Sequence, residues 1–183
     1  MTKIQIITAG TSCGKENDAD LLDSLTLKTY YDINNALSLN REACEKLLLD
    51  IYDKAKTWLH PSHWLLYKLS DCLQFISKEL AIETRGYADA SIHAKHVNVH
   101  KQHALLLLNG IGVFHENENL VCVIKERAAN ALRAYVDTFL LSDSHGDHNA
   151  ELEKEKLRNE LVNKANALER EAIKVQRNIR GLL

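Results

Sequence analysis

Seven glycines and one proline in 183 residues leave this chain very few places to turn sharply. Sandwiches, barrels and doubly wound sheets need many tight connections, and those two residues make most of them. The scarcity predicts few breaks and long helices. A 45% hydrophobic, 26% charged composition can bury a core, and the length suits one ordinary domain. The expected fold is all-α: five to six long helices in an up-down bundle or a short helical-hairpin array. Residues 1–15 read as a flexible, non-helical N-terminal tail, 16–148 as the bundle domain and 149–183 as one long C-terminal helix.

Apolar residues recurring every three or four positions mark the helices. The first runs from about Asn17 to Leu37, with Leu22, Leu25, Thr29, Ile33 and Ala36 inward and Asp18, Asp20 and Asp23 favouring its positive end. Asn40 is the expected N-cap of the second, which carries Leu47, Leu48, Ile51, Tyr52, Ala55 and Leu59. Pro61 fits the first turn of a third, burying Leu65, Leu69, Cys72, Leu73, Ile76 and Leu80 and stopping near Arg85-Gly86. The fourth spans Ala88 to Asn109. The fifth spans Asn117 to Leu141, with Val121, Ile124, Ala128, Leu132, Tyr135 and Phe139 in register. A last helix covers Asn149 to Arg180.

A net charge of −2 offers no global basic field to nucleic acid or anionic lipid. No segment approaches the apolar run a membrane span needs, so no membrane partner is expected. Cys13, Cys44, Cys72 and Cys122 are scattered and form no C-x-x-C pair, unlike a disulfide framework. These features point to a reducing, cytoplasmic setting.

The hairpin around Leu59-His60-Pro61-Ser62-His63 resembles, over Cys44 to Asp89, the helical C-terminal region of SET/MYND lysine methyltransferases. The paired cysteines and substrate-channel motifs of those enzymes are absent, so the resemblance implies a shared helical hairpin and no methyltransferase activity. Two further stretches imitate known sites. Ala9-Gly10-Thr11-Ser12-Cys13-Gly14-Lys15 has the look of a phosphate-binding loop, but Glu16 stands where a Mg²⁺-binding hydroxyl belongs, and no parallel sheet follows. Asp143, His145, Asp147 and His148 echo a metallo-β-lactamase zinc signature with its first histidine replaced, and only helical sequence follows. As a local cluster these four are good Zn²⁺ donors. The plainer reading is a solvated loop between helices.

The most regular polar feature is the run His93, His96, His100, His103, whose steps of 3, 4 and 3 place all four on one face of the fourth helix. Three readings compete. Neutral imidazoles can hold Zn²⁺, with a ligand from another helix. A row of imidazoles can act as a seam that opens on protonation. Or the rings are structural, hydrogen-bonded at the edge of a buried face whose apolar stripe is Ile92, Val99 and Leu106. Beyond possible zinc, no cofactor is expected.

Leu161, Ala165, Leu168, Ala172, Val175, Ile179 and Leu182 recur in alternating steps of 4 and 3, a coiled-coil seam. Its C-terminal part, Leu168, Ala172, Val175, Ile179 and Leu182, is the expected contact with another subunit or a protein partner. Lys174, Arg177 and Arg180 form a short basic ridge that could meet RNA phosphates if the chain multimerises. No nucleophile, base and orienter assemble in any recognisable order. The sequence therefore predicts a non-enzymatic helical interaction or scaffold protein acting through exposed helix faces and self-association, with a zinc-binding protein and an oligomeric RNA binder as alternatives.

Overall fold

The computed structural model describes residues 16–61, 63–107, 118–137 and 148–179. The expected tail, residues 1–15 with the phosphate-loop imitation, lies outside them, as do Asp143, His145, Asp147, Arg180 and Leu182. Among the described residues there are six helices and no strand: α1 Glu16–Ala36, α2 Arg41–Ala55, α3 Trp64–Glu83, α4 Ala90–Leu106, α5 Glu118–Tyr135 and α6 His148–Ile179. The all-α expectation holds.

Local chemistry sets the helix ends. Asn40 caps α2 as expected, its side-chain oxygen accepting the Ala43 N–H at 3.0 Å. Asp89 does the same for α4 with the Ser91 N–H at 2.9 Å. The start of α3 differs from the sequence reading. Pro61 lies before the helix, and His63 is the N-cap, its Nδ1 accepting the Leu65 N–H at 3.2 Å. A ring nitrogen can satisfy one of the orphan amides of a first turn, and the helix starts where that acceptor is available. After α3, Gly86 takes φ +90, a left-handed conformation that costs glycine little, and the chain reverses into α4.

The buried side chains form two clusters. One joins Ile33 and Ala36 of α1 to Cys44, Leu48, Ile51 and Ala55 of α2 and Leu65, Leu69 and Leu73 of α3. The other joins Ala104 and Leu107 at the end of α4 to Ala128, Leu132 and Tyr135 of α5 and Leu161, Ala165 and Leu168 of α6. Helix α3 spans both, since Ala81 near its C-terminus belongs to the second cluster.

The α5–α6 hairpin is antiparallel and closely packed. Small residues at Ala128, Ala165 and Ala172, all fully buried, let the two backbones approach. Polar links run across it: Lys125 Nζ to Glu171 at 2.6 Å, Arg133 Nη2 to Glu169 at 2.5 Å and to Asn166 at 3.0 Å, and Gln176 to Glu126 at 2.7 Å. This takes up part of the contact expected of α6. Its seam closes on α5 of the same chain as far as Ala172, so Leu168 and Ala172 are spent on the chain's own core. Val175 is half-buried. The stretch that stands clear of its neighbours is instead the N-terminal one, where Leu152 is 67% exposed amid alternating Glu and Lys. The reason is length. At 32 residues α6 is about 48 Å long, nearly twice α5, and the antiparallel pairing begins from its C-terminal end.

Candidate functional site

Helix α4 departs furthest from its hydropathy. Ile92, read as core-facing, is 39% exposed, and Val99 is only half-buried. The inward stripe is made by the histidines: His96, His100 and His103 are 5%, 0% and 1% exposed. They sit at the centre of the helix interface and not at its edge. The cause is that each ring finds a fixed partner across α3 or α2, so burial leaves few imidazole hydrogen bonds unmade.

The rungs are regular. His93 Nδ1 meets the Ala81 carbonyl at 2.9 Å, His100 Nδ1 the Gln74 carbonyl at 2.7 Å, and His103 Nδ1 the Ser70 hydroxyl at 3.2 Å. Advancing along α4, the partners recede along α3, as an antiparallel pair requires. A carbonyl only accepts, so His93 and His100 carry their proton on Nδ1 when neutral. The fourth ring reaches past α3. His96 Nδ1 donates to the Glu45 carboxylate of α2, 2.9 Å from one oxygen and 2.8 Å from the other. Glu45 is 1% exposed, and Lys95 Nζ stands 3.9 Å from it. Ser77, between the Gln74 and Ala81 rungs on α3, keeps a buried hydroxyl with no hydrogen-bond partner among the described residues.

Three helices meet at His103. Its ring stands edge-on to Tyr52 of α2, centroids 4.8 Å apart, and the Ser70 hydroxyl of α3 also hydrogen-bonds Tyr52. Burial lowers the His103 pKa to about 4; Asp53 pulls upward and Lys56 adds to the lowering. His100 is lowered too, by burial first and by Lys78, against the Gln74 and Ala131 backbone contacts that favour its protonated form. Burial raises the Cys44 thiol, beside Glu45, and lifts the Tyr67 hydroxyl to about 12. Both histidines are therefore neutral near pH 7 and act as polar spacers.

This arrangement can fix register. An apolar helix interface tolerates sliding, whereas moving α4 by one turn would strip every rung at once and leave buried imidazole N–H groups and a carboxylate unpaired. As a metal centre the stripe gains nothing from the geometry. Among the described residues no three His, Cys, Asp or Glu side chains converge to hold a metal ion. His148 opens α6, and Asp143, His145 and Asp147 lie outside the described residues. The residues that sequence reasoning missed are Glu45, Ser70 and Tyr52 as ring partners. Glu45 was detectable as a lone carboxylate in step with Leu48, Tyr52 and Ala55 on the inward face of α2.

Two outer surfaces also stand out. On α1, Leu22 and Leu25, expected inward, are each 37% exposed, while Leu21 and Leu27 are 59% and 55% exposed. Of the described α1 side chains, Thr26, Ile33 and Ala36 are buried, and the apolar contacts to α2 and α3 are made at Ile33 and Ala36. On α6, Lys174 and Arg177 of the expected basic ridge are exposed, and together with Arg170 and Ile173 they line a shallow open depression of about 380 Å³. No helix among the described residues is long and apolar enough to cross a membrane.

No family model matches this chain, and no curated protein or solved structure resembles it. The likeness of Cys44–Asp89 to SET/MYND proteins thus rests on the hairpin pattern alone.

Proposed function

We propose that this chain is a non-enzymatic helical interaction protein that holds a basic, amphipathic segment of another polypeptide against the projecting half of α1. One observation carries the reading: Leu21, Leu22 and Leu25 share one side of the helix, Leu27 lies on another, and all four are exposed. Neighbouring exposed apolar side chains of this kind mark sites of association. The charge of α1 selects the occupant. It holds Glu16, Asp18, Asp20, Asp23 and Asp32 against the single Lys28, so a cationic partner is favoured and an acidic one repelled. The α4 histidine ladder supports this role indirectly, since it locks the platform on which α1 rests.

The test is fluorescence anisotropy with a labelled Leu/Lys amphipathic helical peptide and a Leu/Glu peptide of equal length. The basic peptide binds saturably, the acidic one does not, and Leu21→Ser with Leu25→Ser weakens binding by about tenfold or more. Equal binding of both peptides, or of neither, overturns the reading.

A further inference from the structure

The chain itself displays a surface of the chemistry that α1 calls for. On α6, Arg170, Ile173, Lys174 and Arg177 fall at steps of 3, 1 and 3, which sets them on one face of the helix. Ile173 is 41% exposed at the centre of this face. The acids beside it are already engaged, Glu171 by Lys125 and Glu169 by Arg133. Among the described residues no acid pairs with Arg170, Lys174 or Arg177. A chain of net charge −2 thus concentrates three cations, with no acid partner among the described residues, around an exposed isoleucine and a shallow depression. The projecting half of α1 is the complement, with Asp20 and Asp23 exposed on the same turns as Leu21, Leu22 and Leu25.

Resting on the interaction reading above, we infer that the occupant of α1 is a second copy of this chain, its α6 face receiving the projecting half of α1 head to tail. The contact is heterologous: each copy donates one α1 and offers one α6 face. Repeated, it generates open chains or closed rings, the smallest ring being a reciprocal dimer. The apolar centre supplies burial, and the flanking opposite charges set orientation and make association salt-sensitive. A nucleic-acid phosphate is the competing occupant of the basic face. It is disfavoured because no aromatic residue alternates with the three cations, so base stacking has no platform.

Sedimentation velocity on the full chain decides between these occupants, and two variants fix the polarity. Leu21→Ser/Leu25→Ser disables the α1 end only, and Lys174→Glu/Arg177→Glu disables the α6 end only. All four positions are exposed, so an unchanged helical circular-dichroism signal is expected of both. The wild type grows in mass with concentration and dissociates with added salt. Each variant alone is weakened about a hundredfold by burying nothing or by apposing like charges. An equimolar mixture forms a one-to-one dimer and nothing larger, because one intact α1 meets one intact α6 face. A wild type that is monomeric throughout overturns the inference, as does either variant associating alone. So does a monomer that shifts RNA in a manner lost in Lys174→Glu/Arg177→Glu. If the monomer still takes the basic peptide, only self-recognition falls and the proposed function stands.

Discussion

Lowering the pH tests the histidine ladder at His103. The ring is 1% exposed and its pKa is lowered to about 4 by burial, from the ordinary 6.5 of a solvated imidazole. Above the unfolded value both states hold a neutral ring, and the stability it contributes is complete. Below it the unfolded chain takes up a proton that the folded chain refuses, so stability falls as pH falls, until the folded ring also protonates near 4. The gap of about 2.5 units, at about 1.36 kcal/mol each, amounts to roughly 3 kcal/mol. That is a large share of the roughly 5–15 kcal/mol by which domains are stable. His100 shifts in the same direction and adds to the slope. Exchanging His103→Gln keeps a polar group near Ser70 and removes the titration. At pH 7.5 the variant should be less stable by about 1 kcal/mol for the poorer hydrogen bond. The difference should vanish just below pH 6 and change sign at pH 4.5. Urea denaturation followed by circular dichroism at pH 7.5, 6.5, 5.5 and 4.5 measures both. Parallel curves for the two proteins from pH 6.5 down to 4.5 would refute the argument, whatever their absolute slope, because all other groups cancel in the difference.

Three further outcomes are expected. Asn40→Ala removes the acceptor of the Ala43 N–H and should lower stability by about 1 kcal/mol in urea; no change would mean water replaces the cap. Glu45→Ala should cost about 3 kcal/mol by orphaning the buried His96 ring, whereas the double change with His96→Leu should recover most of that loss. Strict additivity in this cycle would show that the two groups are not coupled. Ala172→Leu thrusts a larger side chain into the fully buried α5–α6 seam and should cost about 1–3 kcal/mol by thermal melting; an unchanged melting temperature would place that position at the surface.

The helical class was legible because so few residues can break a helix here, and the Asn40 cap because its chemistry is local. The α5 register was equally plain: Val121, Ile124, Ala128, Leu132 and Tyr135 are all buried. What hid the rest was tertiary. Hydropathy ranks histidine as polar, so Ile92 and Val99 looked like the core stripe of α4, although the regular 3, 4, 3 histidine spacing was itself the period of a buried face. Only carbonyls and a carboxylate placed on α2 and α3 make that burial affordable. Leu22 and Leu25 have core spacing, but no sequence pattern reveals that α2 and α3 stop short of them. The links Arg133–Glu169 and Lys125–Glu171 depend on how α5 and α6 fold back on each other, which periodicity within one helix cannot encode. For the same reason the seam in α6 identified a packing face without naming the helix that fills it.

The division of the buried side chains into two clusters has a consequence for how the chain is made. The first cluster draws almost wholly on α1, α2 and α3, with a single partly buried contribution from Val99 of α4. During synthesis those three helices can emerge and bury their leucines while α5 and α6 are still untranslated. The second cluster must wait for α6, translated after the other described helices, because Leu161, Ala165 and Leu168 are its floor. Between the two events α4 is held to α3 by its imidazole rungs and by Val99, and Leu107 waits uncovered. An arrested nascent chain ending before α6 should therefore protect α2 and α3 from protease while leaving α5 open to cleavage.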